Sequence, residues 1–338
     1  MQRKQAARWQ RERRRQRRVF VIAVIILIVI LAIPSVGYYA TFVAPPRHTI
    51  ITVNDVTYSL GDMVKRARAT AAMQVGSGQT PQLGTVPFEV LNGLVDEELL
   101  IQGASGVGVL VTREDVDEEV RATFYPRPPA GEVTDPESLE REFQENYRQF
   151  LEISQLSDSD YREIARVRVL RREVREKVSE QVPSVEESVY VHWIRIGDNE
   201  TAIQVEQRLE AGEEFDALAR ELNQDSTYAD FNGEVGWVPR GAFVEMEELL
   251  FSIEHNTLSE VFTTRSGIHI LKVTDGPELH EINETMRGVL EIRAFEEWLD
   301  AERENNFVNV DFGSAEYEWV VGKIQELITI SRALESSS

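Results

Sequence analysis

The sequence contains no cysteine. This excludes a disulfide framework, a thiolate metal site, a cysteine nucleophile and a lipid-modified cysteine anchor. Histidine is scarce as well, at five in 338 residues, so any imidazole chemistry falls on very few positions. Basic residues are outnumbered, 36 Lys and Arg against 58 Asp and Glu, for a net charge of −22. Residues 1–18 alone hold nine Lys and Arg and one Glu, so residues 19–338 carry −30, the total of −22 less this +8. A body so acidic repels phosphate and argues against nucleic acid as a partner.

Only one long apolar run is present, Val19 to Ile33 (VFVIAVIILIVILAI), and it stays uncharged through Tyr38 and Tyr39. About 20 apolar residues at about 1.5 Å each cross a bilayer core. The cluster of basic residues before the run holds the N-terminus in the cytoplasm, and the tyrosine pair suits the far interface. The sequence therefore predicts a cytoplasmic basic segment over 1–18, a transmembrane anchor over 19–40 and a body outside the cytoplasm. The competing reading is a cleaved signal peptide with Ser35-Val36-Gly37 as its small-x-small site. The apolar run is longer than a usual signal core, and no A-x-A follows it.

After the linker Ala44-Pro45-Pro46, His48 to Tyr58 reads as strand, turn and strand with Asn54-Asp55 at the turn. Ser59 with Asp62, and later Thr112 with Asp115, are helix-start signals. Phe88, Leu91, Val95 and Leu99 recur at helical spacing, and Tyr125 to Pro136 is a loop on its proline content. A helix from about Ser159 to Gln181 carries Ile164, Val167, Leu170, Val174 and Val178 on one stripe. Beyond Pro183-Ser184 the pattern becomes mixed. A strand through Tyr190, His192, Ile194 and Ile196, two short helices broken at Gly212, a glycine-rich turn, a helix over Met246 to Ile253 and a strand over Ile268 to Val273 suggest a small α+β sheet domain. Past Pro277 come an amphipathic helix with Ile282, Met286, Val289, Ile292 and Leu299, expected to pack on the first helical module, and a last helix over Ala315 to Ala333.

The stretches VYVHWIRI, EEFDALARELNQDS, NGEVGWVPRGAFVEMEELLF and VFTTRSGIHILKV, from about Glu187 to Asp275, together resemble the parvulin (PpiC-type) rotamase domain. The flanks VNDVTYSLGDM, VLNGLVDEELLIQGASGVGVLVTREDVDEEV and LSDSDYREIARVRVLRREV are similar to the helical N-terminal domain of bacterial foldases of the SurA, PrsA and PpiD type. The resemblance implies an α+β protein: a transmembrane helix, a SurA-like chaperone domain over 48–182, an FKBP-like antiparallel-sheet parvulin domain over 187–275, and C-terminal helices over 278–335 that return to the helical domain. It implies a peptidyl-prolyl cis/trans isomerase and chaperone without cofactor or metal. Its partners would be unfolded or newly secreted polypeptides containing X-Pro bonds.

Residue by residue, the resemblance puts the two active-site histidines at His192 and His269, the family's Asp or Cys at Asp225, and its threonine at Thr264. Substrate-binding positions fall on Val235, Phe243 and Met246. The residues themselves leave alternatives open. An inward His is often a satisfied core residue, Asp225 in Q-D-S suits a turn cap, and Phe243 and Met246 suit ordinary core. Two departures stand out: the family's G-G-D-L-G-W appears as Asn232 to Trp237 with one extra residue before it, and Glu260 replaces a proline. A non-catalytic holdase with a degenerate parvulin domain is the rival function, and an adaptor near the secretion machinery a third.

Overall fold

The computed structural model describes residues 30–39, 43–128 and 135–335. The basic segment and residues 19–29 of the expected anchor lie outside the described residues, as do residues 129–134 of the proline-rich loop. Residues 30–38 are helical with exposed side chains. Among the described residues, no helix is long and apolar enough to cross a membrane. The chain divides into two compact units.

The first unit opens with the hairpin β1 (Thr49–Val53) and β2 (Val56–Ser59), turned at Asn54, whose φ is 52°. Helix α1 (Leu60–Gly76) follows at once because Ser59 and Asp62 form a capping box. The Asp62 amide donates to Ser59 Oγ, and the Ser59 amide donates to the Asp62 carboxylate. Helix α2 (Val86–Gly103) and a 3₁₀ turn (Ala104–Val107) lead to α3 (Arg113–Phe124), which starts on a second capping box, Thr112 with Asp115. Helices α4 (Pro136–Ser154) and α5 (Asp158–Ser179) complete this stretch. Phe124, Tyr147, Phe150 and Tyr161 meet there with ring centroids 4.9 to 5.7 Å apart, an aromatic core for the α3, α4 and α5 junction.

The second unit comprises residues 102–110 and 170–304, so it takes in the 3₁₀ turn and the second half of α5. Its strands are β3 (Val185–Ile196), β4 (Glu234–Pro239), β5 (Phe262–Thr264) and β6 (Gly267–Glu281). They form one antiparallel sheet in the order β4-β3-β6-β5. Helices α6 (Asn199–Glu210) and α7 (Phe215–Leu222) sit either side of Gly212, with α8 (Val244–Ser252) between β4 and β5. Side chains alternate across the sheet. Val189, Val191, Trp193, Leu271 and Val273 pack with Met246 and Leu250 of α8 on one face. Ile194, Ile196, Ile268 and Ile270 pack with Val205, Phe215 and Leu218 of α6 and α7 on the other.

The two C-terminal helices part company. Helix α9 (Glu284–Asn305), expected to pack on the helical module over 48–182, divides its contacts along its length: near its start Met286 is buried in the α8-side core of the sheet, with Val289 and Leu290 packed on the same cluster, and its second half meets Gly103 and Arg171 of that helical stretch. Farther along, Arg171 lies over the Phe295 ring, and a Cβ on Gly103 would come within 2.7 Å of the Trp298 ring. The apolar stripe of α9 is thus satisfied inside the second unit. The chain then returns to the first unit through β7 (Val308–Val310), which pairs with β1 to make a sheet of order β2-β1-β7. The last helix, α10 (Ser314–Glu335), buries Val320, Ile324 and Leu327 and packs along α1.

Candidate functional site

The site lies on the α8 face of the four-stranded sheet. The tight turn Arg265-Ser266 folds β5 back onto β6, pairing Thr264 with Gly267 and Phe262 with His269. Gly267 is required: its φ is 142°, and a Cβ would stand 3.1 Å from the Ile196 carbonyl oxygen. Residue 269 thereby points into the face already occupied by Trp193.

His269 is 1% exposed. Phe262 stacks beside it at 5.7 Å, and Trp193 meets it edge-on at 5.8 Å. Its Nε2 lies 3.0 Å from Ser266 Oγ, which lies 2.9 Å from Thr264 Oγ1. Its Nδ1 is buried with no hydrogen-bond partner among the described residues. Burial pushes the imidazole pKa below its usual value, opposed by the Asp225 charge and reinforced by Arg195. At neutral pH the ring is therefore uncharged, with Ser266 beside one nitrogen and the other nitrogen unengaged.

Asp225 is also buried, at 5% exposure. Its carboxylate accepts hydrogen bonds from Trp193 Nε1 at 2.9 Å and from the Thr227 and Tyr228 amides at 2.9 and 3.1 Å. The turn-capping role and the site role therefore coincide: one oxygen shapes the turn, and the other anchors the indole that flanks His269. The apolar wall is continuous with them. Phe243 meets Trp193 edge-on at 5.1 Å and Tyr228 at 5.3 Å, Met246 is buried in the same cluster, and Val235 packs against it.

His192 is not part of this arrangement. It pairs with Lys272 across β3 and β6, whereas His269 pairs with Arg195. The two histidines are thus offset by an odd number of residues and project from opposite faces of the sheet. The charges acting on His192 are those of Lys272, Glu234, Asp216 and Asp230, and those acting on His269 are Asp225, Arg195 and Glu245, with no member in common. Burial, and then Lys272, also lower the His192 pKa. Its Nδ1 is likewise buried without a partner among the described residues, and its ring lies 5.7 Å from Tyr190.

Beyond the residues that the resemblance names, the site includes Trp193, Arg195, Tyr228 and Ser266. Trp193 and Arg195 share the strand alternation that puts Val191 inward, and Ser266 sits inside the T-x-x-G-x-H stretch itself, so pattern alone contained a signal for three of them. Tyr228 carried none. Among the described residues, no group of His, Asp or Glu side chains gathers to hold a metal ion.

Comparison with known proteins identifies two family matches. Residues 197–275 match the PPIC-type PPIase domain family, a span that contains Asp225, Phe243, Met246, Thr264 and His269 and begins after His192. Residues 10–175 match the SurA-like N-terminal domain family. The foldase protein PrsA of Geobacillus kaustophilus is 29% identical over 211 residues, covering 58% of this chain and 73% of that protein. PrsA of Caldanaerobacter subterraneus is 30% identical over 215 residues, covering 62% of this chain and 63% of that protein. Among solved structures, the peptidylprolyl isomerase PrsA of Bacillus anthracis aligns over 65% of this chain and 98% of its own, with 17% identity and a TM-score of 0.40. The chain is thus a parvulin-type peptidyl-prolyl isomerase, its PPIC-type domain joined to a SurA-like N-terminal domain.

Proposed function

We propose that this protein catalyses cis/trans isomerisation of X-Pro bonds in unfolded or newly secreted polypeptides outside the cytoplasmic membrane, using His269, Ser266, Thr264 and the Phe243–Met246 wall. The observation that carries the reading is the buried, neutral His269 with two hydroxyls in line on one side and an aromatic wall on the other. Rotation about an X-Pro bond meets a barrier near 20 kcal/mol because it breaks amide resonance, and the two ground states differ by only about 1 kcal/mol. Lowering that barrier needs no nucleophile. A dry apolar wall favours the twisted amide, whose carbonyl is less polarised, and a neutral imidazole and hydroxyl supply donors without a charge that would bind the planar ground state. Asp225 acts through Trp193, as a positioning residue.

The chaperone half of the function is assigned to the first unit. A cavity of about 590 Å³ there is lined by Met73, Val75, Phe124, Phe150 and Ile153, with Asn146 and Gln149 at hand for backbone groups. Met286 and Val289, expected to share this surface, are committed to the core of the second unit and take no part. The uncharged run over 19–40 and its +8 flank support a retained single-pass anchor with the N-terminus in the cytoplasm. Protease added to intact spheroplasts then digests all but a short anchor fragment; a fully protected body overturns the topology. A protease-coupled prolyl isomerase assay on the detergent-solubilised chain tests the activity, and absence of turnover on every X-Pro peptide would leave a holdase.

A further inference from the structure

Residues 30–39 lead straight into a pocket of the first unit. Ile30, Leu31, Ile33, Val36, Tyr38 and Tyr39 are 54 to 69% exposed, and under the anchor reading above lipid covers them. The chain then turns: the Ala44 amide donates to the Tyr39 carbonyl at 2.8 Å, and Pro45–Arg47 forms a 3₁₀ turn. That turn is held against α1, where a Cβ on Gly61 would stand 2.8 Å from the Pro46 carbonyl oxygen and the Leu60 amide donates to the His48 carbonyl at 2.7 Å. Between the turn and the start of α10 lies a cavity of about 480 Å³, whose lining includes Tyr39, Pro45, Arg47, His48, Glu316 and Trp319. Tyr39 belongs both to this wall and to the apolar segment, so under the anchor reading the cavity opens where the bilayer ends.

The lining is mixed in charge. Arg47 supplies a cation, Glu316 a carboxylate 3.4 Å from His48 Nδ1, and Asp311 a second carboxylate 3.8 Å from His48 Nε2. One cation beside two carboxylates, in a body of charge −30, does not suit a purely anionic headgroup; it suits one that carries both signs. Tyr39 and Trp319 are rings of the kind that sit at headgroup depth. We infer that the cavity holds the headgroup of a zwitterionic phospholipid whose cation is a primary ammonium, with the phosphate at Arg47 and the ammonium at Glu316 and Asp311. This rests on the anchor reading and deepens it by naming the lipid class. A guanidinium meets two phosphate oxygens at once, and an ammonium offers three hydrogens to carboxylate acceptors. A trimethylated ammonium offers none, so it gains only charge attraction.

The test reconstitutes the full chain in vesicles of equal parts phosphatidylethanolamine and phosphatidylcholine, extracts it in detergent and quantifies the lipids that stay bound. Both lipids are zwitterionic, so the basic N-terminal segment treats them alike. The expected result is about fivefold enrichment of the ethanolamine lipid, the scale of one partly exposed charge-assisted pair. Glu316→Gln should bring the ratio to one, and Arg47→Gln should lower it, because the headgroup is no longer seated by its phosphate; a ratio within one variant cancels any general loss of lipid. A wild-type ratio of one or below, or a ratio unchanged in Glu316→Gln, overturns the assignment. Exchanging chloride for inorganic phosphate at constant ionic strength should leave the enrichment, and its loss would assign the cavity to free phosphate instead. If alkaline carbonate releases the chain from membranes, the anchor reading fails by itself, and saturation-transfer NMR with soluble glycerophosphoethanolamine still decides the cavity. Transfer that is lost in Glu316→Gln supports the assignment, and no transfer, or transfer equal in the variant, refutes it.

Discussion

Replacing Gly233 with alanine should damage the second unit far more than the same change at Gly236, three residues further on in β4. Both glycines have positive φ, 79° and 85°, so each alanine suffers a left-handed backbone cost of about 1 kcal/mol. They differ in what a methyl would meet. At 236 nothing lies within 4 Å, whereas at 233 the Cβ would stand 2.5 Å from the Trp193 carbonyl oxygen and 3.2 Å from the Ala219 Cβ. Separating these groups breaks the bond from the Trp193 amide to the Gly233 carbonyl, 2.8 Å long, costing about 1 kcal/mol. Crowding of α7 adds about 1 to 3 kcal/mol. The totals are about 3–5 kcal/mol for Gly233→Ala and about 1 kcal/mol for Gly236→Ala. With a urea m-value near 2 kcal/mol/M, the unfolding midpoint followed by near-ultraviolet circular dichroism should fall by about 2 M and about 0.5 M. Because Trp193 anchors Asp225 and flanks His269, Gly233→Ala should also lose isomerase activity at urea concentrations where Gly236→Ala retains it. Equal midpoints for the two variants would refute the packing argument.

The two histidines should separate in kinetics: His269→Ala lowers kcat/KM for a tetrapeptide tenfold or more, about 1.4 kcal/mol per tenfold, while His192→Ala, on the opposite face, stays within about twofold of wild type. A tenfold loss in well-folded His192→Ala would contradict the register. Ser266→Ala removes the hydroxyl beside His269 Nε2 and should lower kcat/KM by about three- to tenfold with an unchanged melting temperature, and wild-type turnover would remove Ser266 from the mechanism. Burial holds the pKa of both histidines below the unfolded value, so as pH falls below about 6.5 the unfolded chain takes up protons that the native state refuses. Stability is accordingly full above that pH and declines below it, and the drop in urea midpoint between pH 7.5 and 5.5 should shrink in His269→Gln. An undiminished drop would show that His269 is not its source.

Local signals in the sequence translated well into structure. The Ser59–Asp62 and Thr112–Asp115 capping boxes start helices where they were expected, Asn54 turns the first hairpin, and Gly212 separates α6 from α7, because each depends only on neighbours in the chain. Asp225, Thr264, His269 and the Val235, Phe243 and Met246 wall do share one face of the second sheet. What the sequence could not supply was register. His192 and His269 each lie among apolar residues of their own strand, which made them look like a facing pair; whether two inward faces are the same face depends on how β3 aligns with β6, and the offset is odd. The fate of the last two helices was hidden for a related reason. The stripes of α9 and α10 say that each must be buried, and only the three-dimensional arrangement says against what: Met286 in the α8-side core, Ile324 and Leu327 along α1.

Pairing of β1 with β7 sets an order of events during synthesis. Asn54 bonds to Asn306, 252 residues away, and the first unit also needs α10, close to the end of the chain. The second unit needs nothing beyond residue 304. A chain emerging N-terminus first therefore completes its isomerase unit while the hairpin and α1 still wait for their closing strand and helix. At about 5–20 residues per second that wait lasts on the order of 13 to 50 s. Through that interval the apolar side of α1 that α10 will cover is open, so the second unit has all of its residues before the first can be sealed.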